Sequence, residues 1–543
     1  MKNQIILILF SLFILSSCSK DLLREDEILQ KRDALESATP NLLLSSIIQK
    51  SAFLNQRMGG ADNVALACAV QFMQANRGAD DNIYESFSKP KGDLYSITNE
   101  IKLVQAAIED MHNKGLKNHE GIFLIFKSAL WSIATDLYGD IYYTEGLRGQ
   151  EGILFPKFDE QKDIYPALIQ NLKDAVQLLS EGTDPIDKKY DLFYQADKTK
   201  WIKFANSLRL RLLIRASKKL ENAASEIAEV ATLPLMIEIA DNASIEYQSG
   251  TTAYSWPRGS LRKGWSDDFL LHRPCKTLVD SLKALNDERL KIWVAPIQKP
   301  WTNVKADNGK KETITQKGYT YDVEWEYIDR SIPVIKEAAS LIQDSLTYYS
   351  GYPAGSLINV LAANGSYIFP DTKWNYKIST FSRLLNENAN PLLQASIMQA
   401  DEVQFLLAEA AVKGYITGSA EGYYKKGVEL ALKRWGEPLP GNYFDSPTAK
   451  FPVNGTKEQK LAKIALQKWL GLFMMGVEAY VDYRRTGLPE MDQNGDLPMG
   501  NYPFPLRFRY PETEMNNNAQ NYQDAIGRLD KGDTELSKMW LLQ

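Results

Sequence analysis

Histidine and cysteine are scarce in this 543-residue chain, which holds only His112, His119 and His272, and Cys18, Cys68 and Cys275. So little histidine disfavours chemistry that needs an imidazole as general base or zinc ligand. Three cysteines allow one bridge at most, so no disulfide framework holds the fold, and Cys68 and Cys275 are expected as buried thiols. An excess of one charge is also lacking. Sixty-three basic residues against 68 acidic ones make no field that would gather phosphate backbones, which disfavours nucleic acid as a partner. HExxH, a GxSxG elbow, a phosphate-cradling GxxxxGK[ST] loop and paired-cysteine zinc spacing are all missing. Paired carboxylates for glycoside hydrolysis need no local motif, so that chemistry stays open. Asp492-Gln493-Asn494-Gly495-Asp496 alternates oxygen ligands, but Leu497 and Pro503 stand where an EF-hand needs glycine and glutamate; a polar turn is expected, and no metal.

What is present begins at the N-terminus. Lys2, an apolar run from Ile5 to Leu15 broken only by Ser11, and Leu15-Ser16-Ser17-Cys18 have the three parts of a secretory signal. Eleven residues are too few to span a bilayer as a helix. Cys18 directly behind small residues resembles the lipobox of bacterial lipoproteins, which implies cleavage after residue 17 and lipid on Cys18. One acyl chain holds a protein to a membrane only marginally, whereas several hold it stably. Ser19 to Arg32 is charged and aperiodic, as a solvated tether should be. Lys20 and Asp21 begin the lysine-and-acids pattern of some surface-exported lipoproteins of the Bacteroidetes, but Leu22 interrupts it. A charged linker accounts for the same residues.

From Asn41 to Ala231 apolar residues return at three and four positions, as in successive amphipathic helices. Trp201, Phe204, Ala205, Leu208 and Leu212 form one core stripe, with Lys203, Asn206 and Arg209 off it. Leu461, Ile464, Ala465, Trp469, Phe473, Val477 and Tyr480 form another. Arg484, Arg485, Gly487 and Pro489 after it make a helix stop, which gives those arginines a structural role. Met398–Lys413, Gly414 and Ser419–Arg434 read as a helix, a turn and a helix, with small residues Ala408, Ala411, Gly427 and Ala431 where the two could meet; the unit resembles a tetratricopeptide repeat.

The middle differs. Between Tyr247 and Tyr376 proline, glycine and polar residues break the helical period, and six of the 11 tryptophans gather there: Trp256, Trp265, Trp293, Trp301, Trp325 and Trp374. Alternation over Tyr319–Trp325 predicts a short strand or hairpin arm. The fold class expected is mainly α: a degenerate tetratricopeptide-like helical scaffold (41–246 and 377–543) carrying an irregular, aromatic-rich binding region (247–376) with a few short strands. Residues 1–17 precede it as signal peptide and 18–40 as lipidated tether.

Several segments together resemble the SusD/RagB family of outer-membrane nutrient-binding lipoproteins, in its second branch. They are Thr135-Asp136-Leu137-Tyr138-Gly139-Asp140-Ile141-Tyr142-Tyr143, Lys200-Trp201-Ile202-Lys203-Phe204-Ala205-Asn206-Ser207-Leu208-Arg209, Asn286-Asp287-Glu288-Arg289-Leu290, Asp401-Glu402-Val403 with Leu407-Ala408-Glu409-Ala410, and Tyr483-Arg484-Arg485-Thr486-Gly487 before Pro489. Tyr142 and Glu288 stand where the family usually has proline. The resemblance implies four helix pairs, an irregular ligand-binding face, oligosaccharide or oligopeptide as ligand, and no cofactor. It also implies a SusC-like TonB-dependent outer-membrane barrel as partner, with the lipoprotein as its lid. The family segments do not identify ligand contacts. By position and type the candidates are Arg77, Asn82 and Tyr84 after an early helix, and Trp256, Trp265 and Trp325 in the middle, tilting toward glycan. The alternatives are a surface hydrolase of glycans or peptides and a structural or adhesive lipoprotein.

Overall fold

The computed structural model describes residues 39–56, 64–75, 84–251, 254–259, 272–329, 331, 347–354, 377–491 and 503–543. Helices α1 (Pro40–Gln56), α2 (Val64–Ala69), α3 (Asp93–Asn113), α4 (Lys117–Tyr138), α5 (Gln161–Glu181), α6 (Lys198–Arg215) and α7 (Ala223–Val230) fill the first part. The central region holds α8 (Lys276–Leu285) and α9 (Arg289–Trp293), and after it come α10 (Ala400–Lys413), α11 (Ala420–Arg434), α12 (Lys457–Gly471), α13 (Gly476–Thr486), α14 (Glu512–Asn517) and α15 (Ala519–Ile526). Neighbours pack in pairs, α3 on α4, α4 on α5, α5 on α6 and α10 on α11, and α6 lies against α10, so the two ends of the chain share one core.

Local signals explain the boundaries. Asp197 caps α6 by accepting from the backbone amide of Thr199 at 3.0 Å, and Thr456 and Gln459 cap α12 reciprocally. Gly414 ends α10 at φ 77°, a left-handed turn that glycine adopts without strain. The predicted small-residue meeting of α10 and α11 is real: a Cβ on Gly427 would lie 2.6 Å from the Phe405 ring. Among the described residues only α4 is long and apolar enough to cross a bilayer, yet nearly all of that stretch is buried in the bundle.

Two helix readings need correction. Asn206 and Arg209, placed off the core stripe of α6, are buried with it. Arg209 is neutralised by Glu226 and Glu229 at 3.0 and 2.6 Å, and the Asn206 amide donates to the Pro234 carbonyl at 3.0 Å. A helix whose polar side chains find partners in its neighbours can be enclosed all round. The stripe from Leu461 to Tyr480 is also not one helix. It breaks between α12 and α13, where Met474 takes φ 65°, and Arg434 caps the freed carbonyl of Gly471 at 2.6 Å. The break lets Phe473 stack on Trp293 with centroids 4.1 Å apart.

Most of the segments that carried the family resemblance supply groups to buried ion pairs. Arg211 grips Glu402 with two bonds of 2.7 and 2.6 Å, and Arg215 joins Asp136 to Glu478. Arg485 holds Glu409 at 2.6 and 2.8 Å and Asp482 at 2.7 Å, while Arg484 donates to the carbonyls of Leu506 and Asp136 at 2.7 and 2.6 Å. Asp287 and Arg289 pair at 2.8 Å, fully enclosed, with Tyr443 donating to Asp287 at 2.7 Å. The arginines before Gly487 are therefore structural, as their helix-stop position suggested. His119 is likewise a buried structural group, 2.8 Å from Asp184.

The strands are short: β1 (Met73–Ala75), β2 (Ala243–Glu246), β3 (His272–Pro274), β4 (Trp301–Thr302), β5 (Lys311–Gln316), β6 (Tyr319–Glu324), β7 (Glu326–Tyr327) and β8 (Gln394–Met398). They pair as β1–β3, β2–β8, β4–β7 and β5–β6. The predicted hairpin arm is β5–β6, in register from Lys311 opposite Glu324 to Gln316 opposite Tyr319. Its turn is Lys317 and Gly318, at φ 50° and 83°, the paired positive values that suit strand twist. Cys68 and Cys275 are both buried and not joined by a disulfide.

Candidate ligand-binding face

The hairpin positions a partly open aromatic pair of the middle region. Trp325 follows β6 directly and is half-buried. Its indole N–H donates to Glu312 on β5, and Tyr348 donates to the same carboxylate at 3.1 Å. The two rings cross at 69° with centroids 5.4 Å apart, and Tyr348 keeps 38% of its surface exposed. One carboxylate thus fixes the angle between two aromatic planes, leaving a rigid step with solvent on one side.

Beside this step a cleft of about 740 Å³ opens along the hairpin, lined by Gln298, Lys299, Lys311, Glu312, Asp322 and Glu324. Carboxylates accept hydrogen bonds, ammonium groups donate them and the glutamine amide does both, a set suited to a polyol's hydroxyl groups. Each acid already has a protein neighbour: Glu312 takes the two rings, Asp322 accepts from Thr313 at 3.1 Å, and Glu324 lies 3.8 Å from Lys311. Lys377, beneath, sits 5.8 Å from the centre of the Trp301 ring and pairs with Glu326. Burial lowers its pKa, Glu326 partly resists, and the amine is left at about 8.

The predicted site residues separate. Trp325 reaches the open step. Trp256 does not: it is 2% exposed, its indole donates to the Leu385 carbonyl at 3.0 Å, and its ring meets Tyr247 edge-on. Tyr84 is also core, packed edge-on against Phe504, because its left-handed backbone (φ 63°) turns the chain inward. Arg77, Asn82, Trp265 and Cys18 lie outside the described residues, as do Trp374 and the polar stretch Asp492–Asp496. Sequence reasoning missed Glu312 and Tyr348 as site residues. The alternation over Tyr319–Trp325 marked β6 alone, and Glu312 comes from the strand that the fold sets opposite it. No group of histidine, cysteine and acidic residues among the described residues could hold a metal ion.

A family described as starch-binding and associating with the outer membrane, SusD-like of the second type, matches residues 32–511. The chain belongs to the SusD-like family. A SusD homologue from Bacteroides fragilis superposes with TM-score 0.72 at 22% identity, covering 93% of this chain and all of that one. A SusD-like protein from Bacteroides thetaiotaomicron gives 0.66 at 20% identity over 93% of this chain and 98% of its own. A chitin-binding SusD homologue from Flavobacterium johnsoniae gives 0.66 at 19%, covering 92% and 97%. No curated protein sequence matches significantly. The SusD-like fold thus accounts for the helical body, and the family match spans the hairpin as well.

Proposed function

We propose that this SusD-like protein captures an oligosaccharide on the Trp325–Tyr348 step and the adjoining cleft, and passes it to a SusC-like TonB-dependent barrel over which it serves as lid. It would be held to the outer surface of the outer membrane by lipid on Cys18. The observation that carries the reading is the rigid aromatic step beside a cleft of mixed polar groups. A sugar has an apolar face for the rings and hydroxyls for the acids, lysines and amide. Oligopeptide is the less favoured cargo because Val323 is the one apolar side chain among the residues that line the cleft, the others being charged or hydrogen-bonding. The chitin-binding relative lends support for glycan.

Stacking on an aromatic ring is worth roughly 0.5–1.5 kcal/mol beyond area burial by analogy with aromatic pairs, whereas micromolar affinity needs about 8 kcal/mol. Two rings alone fall short, so enclosure of the ligand against the barrel supplies the rest. Binding without catalysis is supported by the family, which is described as starch-binding. The test is affinity purification from membranes, followed by glycan and peptide arrays with the purified pair. A SusC-like barrel and glycan-restricted binding are expected; peptide-restricted binding or no barrel would overturn the reading.

A further inference from the structure

A second cavity, of about 610 Å³, opens between α3, α4 and the loop after α4. Its volume lies within the roughly 300–1,000 Å³ of small-molecule pockets. Lys127 and Trp131 are four residues apart on α4 and so share one face. Tyr143 meets Trp131 edge-on at 5.4 Å, and its hydroxyl accepts from the Asn171 amide at 2.9 Å, which fixes the ring. The loop backbone is tightly set: Leu147 takes φ 71°, and a Cβ on Gly146 would sit 2.2 Å from the Tyr142 carbonyl oxygen.

The charges in this cavity do not cancel. Arg148 is taken by Glu151, and Glu109 accepts from the Gln105 amide at 3.0 Å. Among the described residues no carboxylate reaches Lys127 at ion-pairing distance; its ammonium rests 5.6 Å from the centre of the Tyr143 ring. Burial lowers its pKa, opposed by the field of Glu109. A sunken ammonium without a counter-ion is completed best by an anion that a ligand brings.

We propose that this cavity is a second binding pocket, separate from the hairpin cleft, for a sugar-sized polyol bearing one carboxylate. Its carboxylate pairs with Lys127, its ring lies by Tyr143, and its hydroxyls meet Gln105, Glu109 and Gln150. The test is titration of the mature full chain with glucuronate, glucose and acetate, followed by NMR. Glucuronate should bind at least tenfold more tightly than either control, Lys127→Met should weaken it at least tenfold, and Trp325→Ala should leave it unchanged. In the unmodified protein, glucuronate should also shield Lys127 from amine acetylation, read by mass spectrometry. Absence of glucuronate binding, equal binding of acetate or glucose, indifference to K127M, loss on W325A, or an unshielded Lys127 would each overturn the pocket. The oligosaccharide reading of the hairpin would stand in every case, because it rests on other residues.

Discussion

Tryptophan shows how environment assigns different work to one residue type. Trp256 and Trp325 come from the same aromatic-rich stretch, yet one is walled in and hydrogen-bonded to Leu385 while the other borders solvent. Trp256→Ala should therefore cost about 3–5 kcal/mol of folding stability, as large-to-small changes in cores do, read by urea denaturation. Trp325→Ala should leave the melting temperature nearly unchanged and weaken glycan binding about 3- to 10-fold, in line with the stacking contribution. Residue type and spacing mark both as candidates; only tertiary burial separates them, and for Trp256 that depends on Leu385, 129 positions away. The same holds for Tyr84, whose inward turn is set by a backbone angle that side-chain chemistry does not announce. The acids of the ion-pair network add a pH signature. Burial alone would raise the Glu409 pKa, but the doubly bonded Arg485, with Lys413, outweighs it and holds the carboxyl at about 2. Asp482 is held lower by Lys468 and Arg485 against the same burial. Folded values below the unfolded carboxylate range of about 4 stabilise the fold fully above that range and are lost as pH falls through the folded values. The melting temperature should be level from pH 7 to 5 and drop steeply toward pH 2.

At the scale of elements, the helical hairpin α10–α11 was legible because each of its signals is local: periodic apolar residues, a glycine turn and small residues at the crossing. Gly427→Leu tests the crossing. The added side chain would have to displace the Phe405 ring, so a loss of at least about 1–3 kcal/mol is expected, measured by thermal unfolding; an unchanged midpoint would mean that the two helices can part freely. Strand β6 was legible for a similar reason, since the alternation over Tyr319–Trp325 is sequence-local, whereas its partner β5 was not read. The break between α12 and α13 was not, because the apolar spacing runs on through it and the cause lies in Arg434 and Trp293 on other elements. The polar flank of α6 misled for the same reason. Its arginine and asparagine look solvent-facing until α7 and the chain after it supply the carboxylates and carbonyl that enclose them.

At the scale of the whole molecule, a rigid helical body held by buried ion pairs carries a polar, ring-bearing cleft on a hairpin. Rigidity suits a lid, because a scaffold that does not deform passes the motion of its attachment to the bound ligand. Cys18→Ala should leave the protein out of the outer-membrane fraction; unchanged membrane attachment would break the link between anchor and barrel. The family segments were legible because most of them carry a charged group that the fold buries in an ion pair, whereas the proposed ligand face lies in the stretch where helical periodicity fails. The most direct measurement is calorimetric titration of the mature protein with defined neutral oligosaccharides, with mass spectrometry of the ligand afterwards. Saturable binding that returns the oligosaccharide intact, and that weakens in W325A, is expected. Shortened products formed in proportion to protein concentration, or no heat of binding across the glycan series, would contradict a non-catalytic glycan-binding protein.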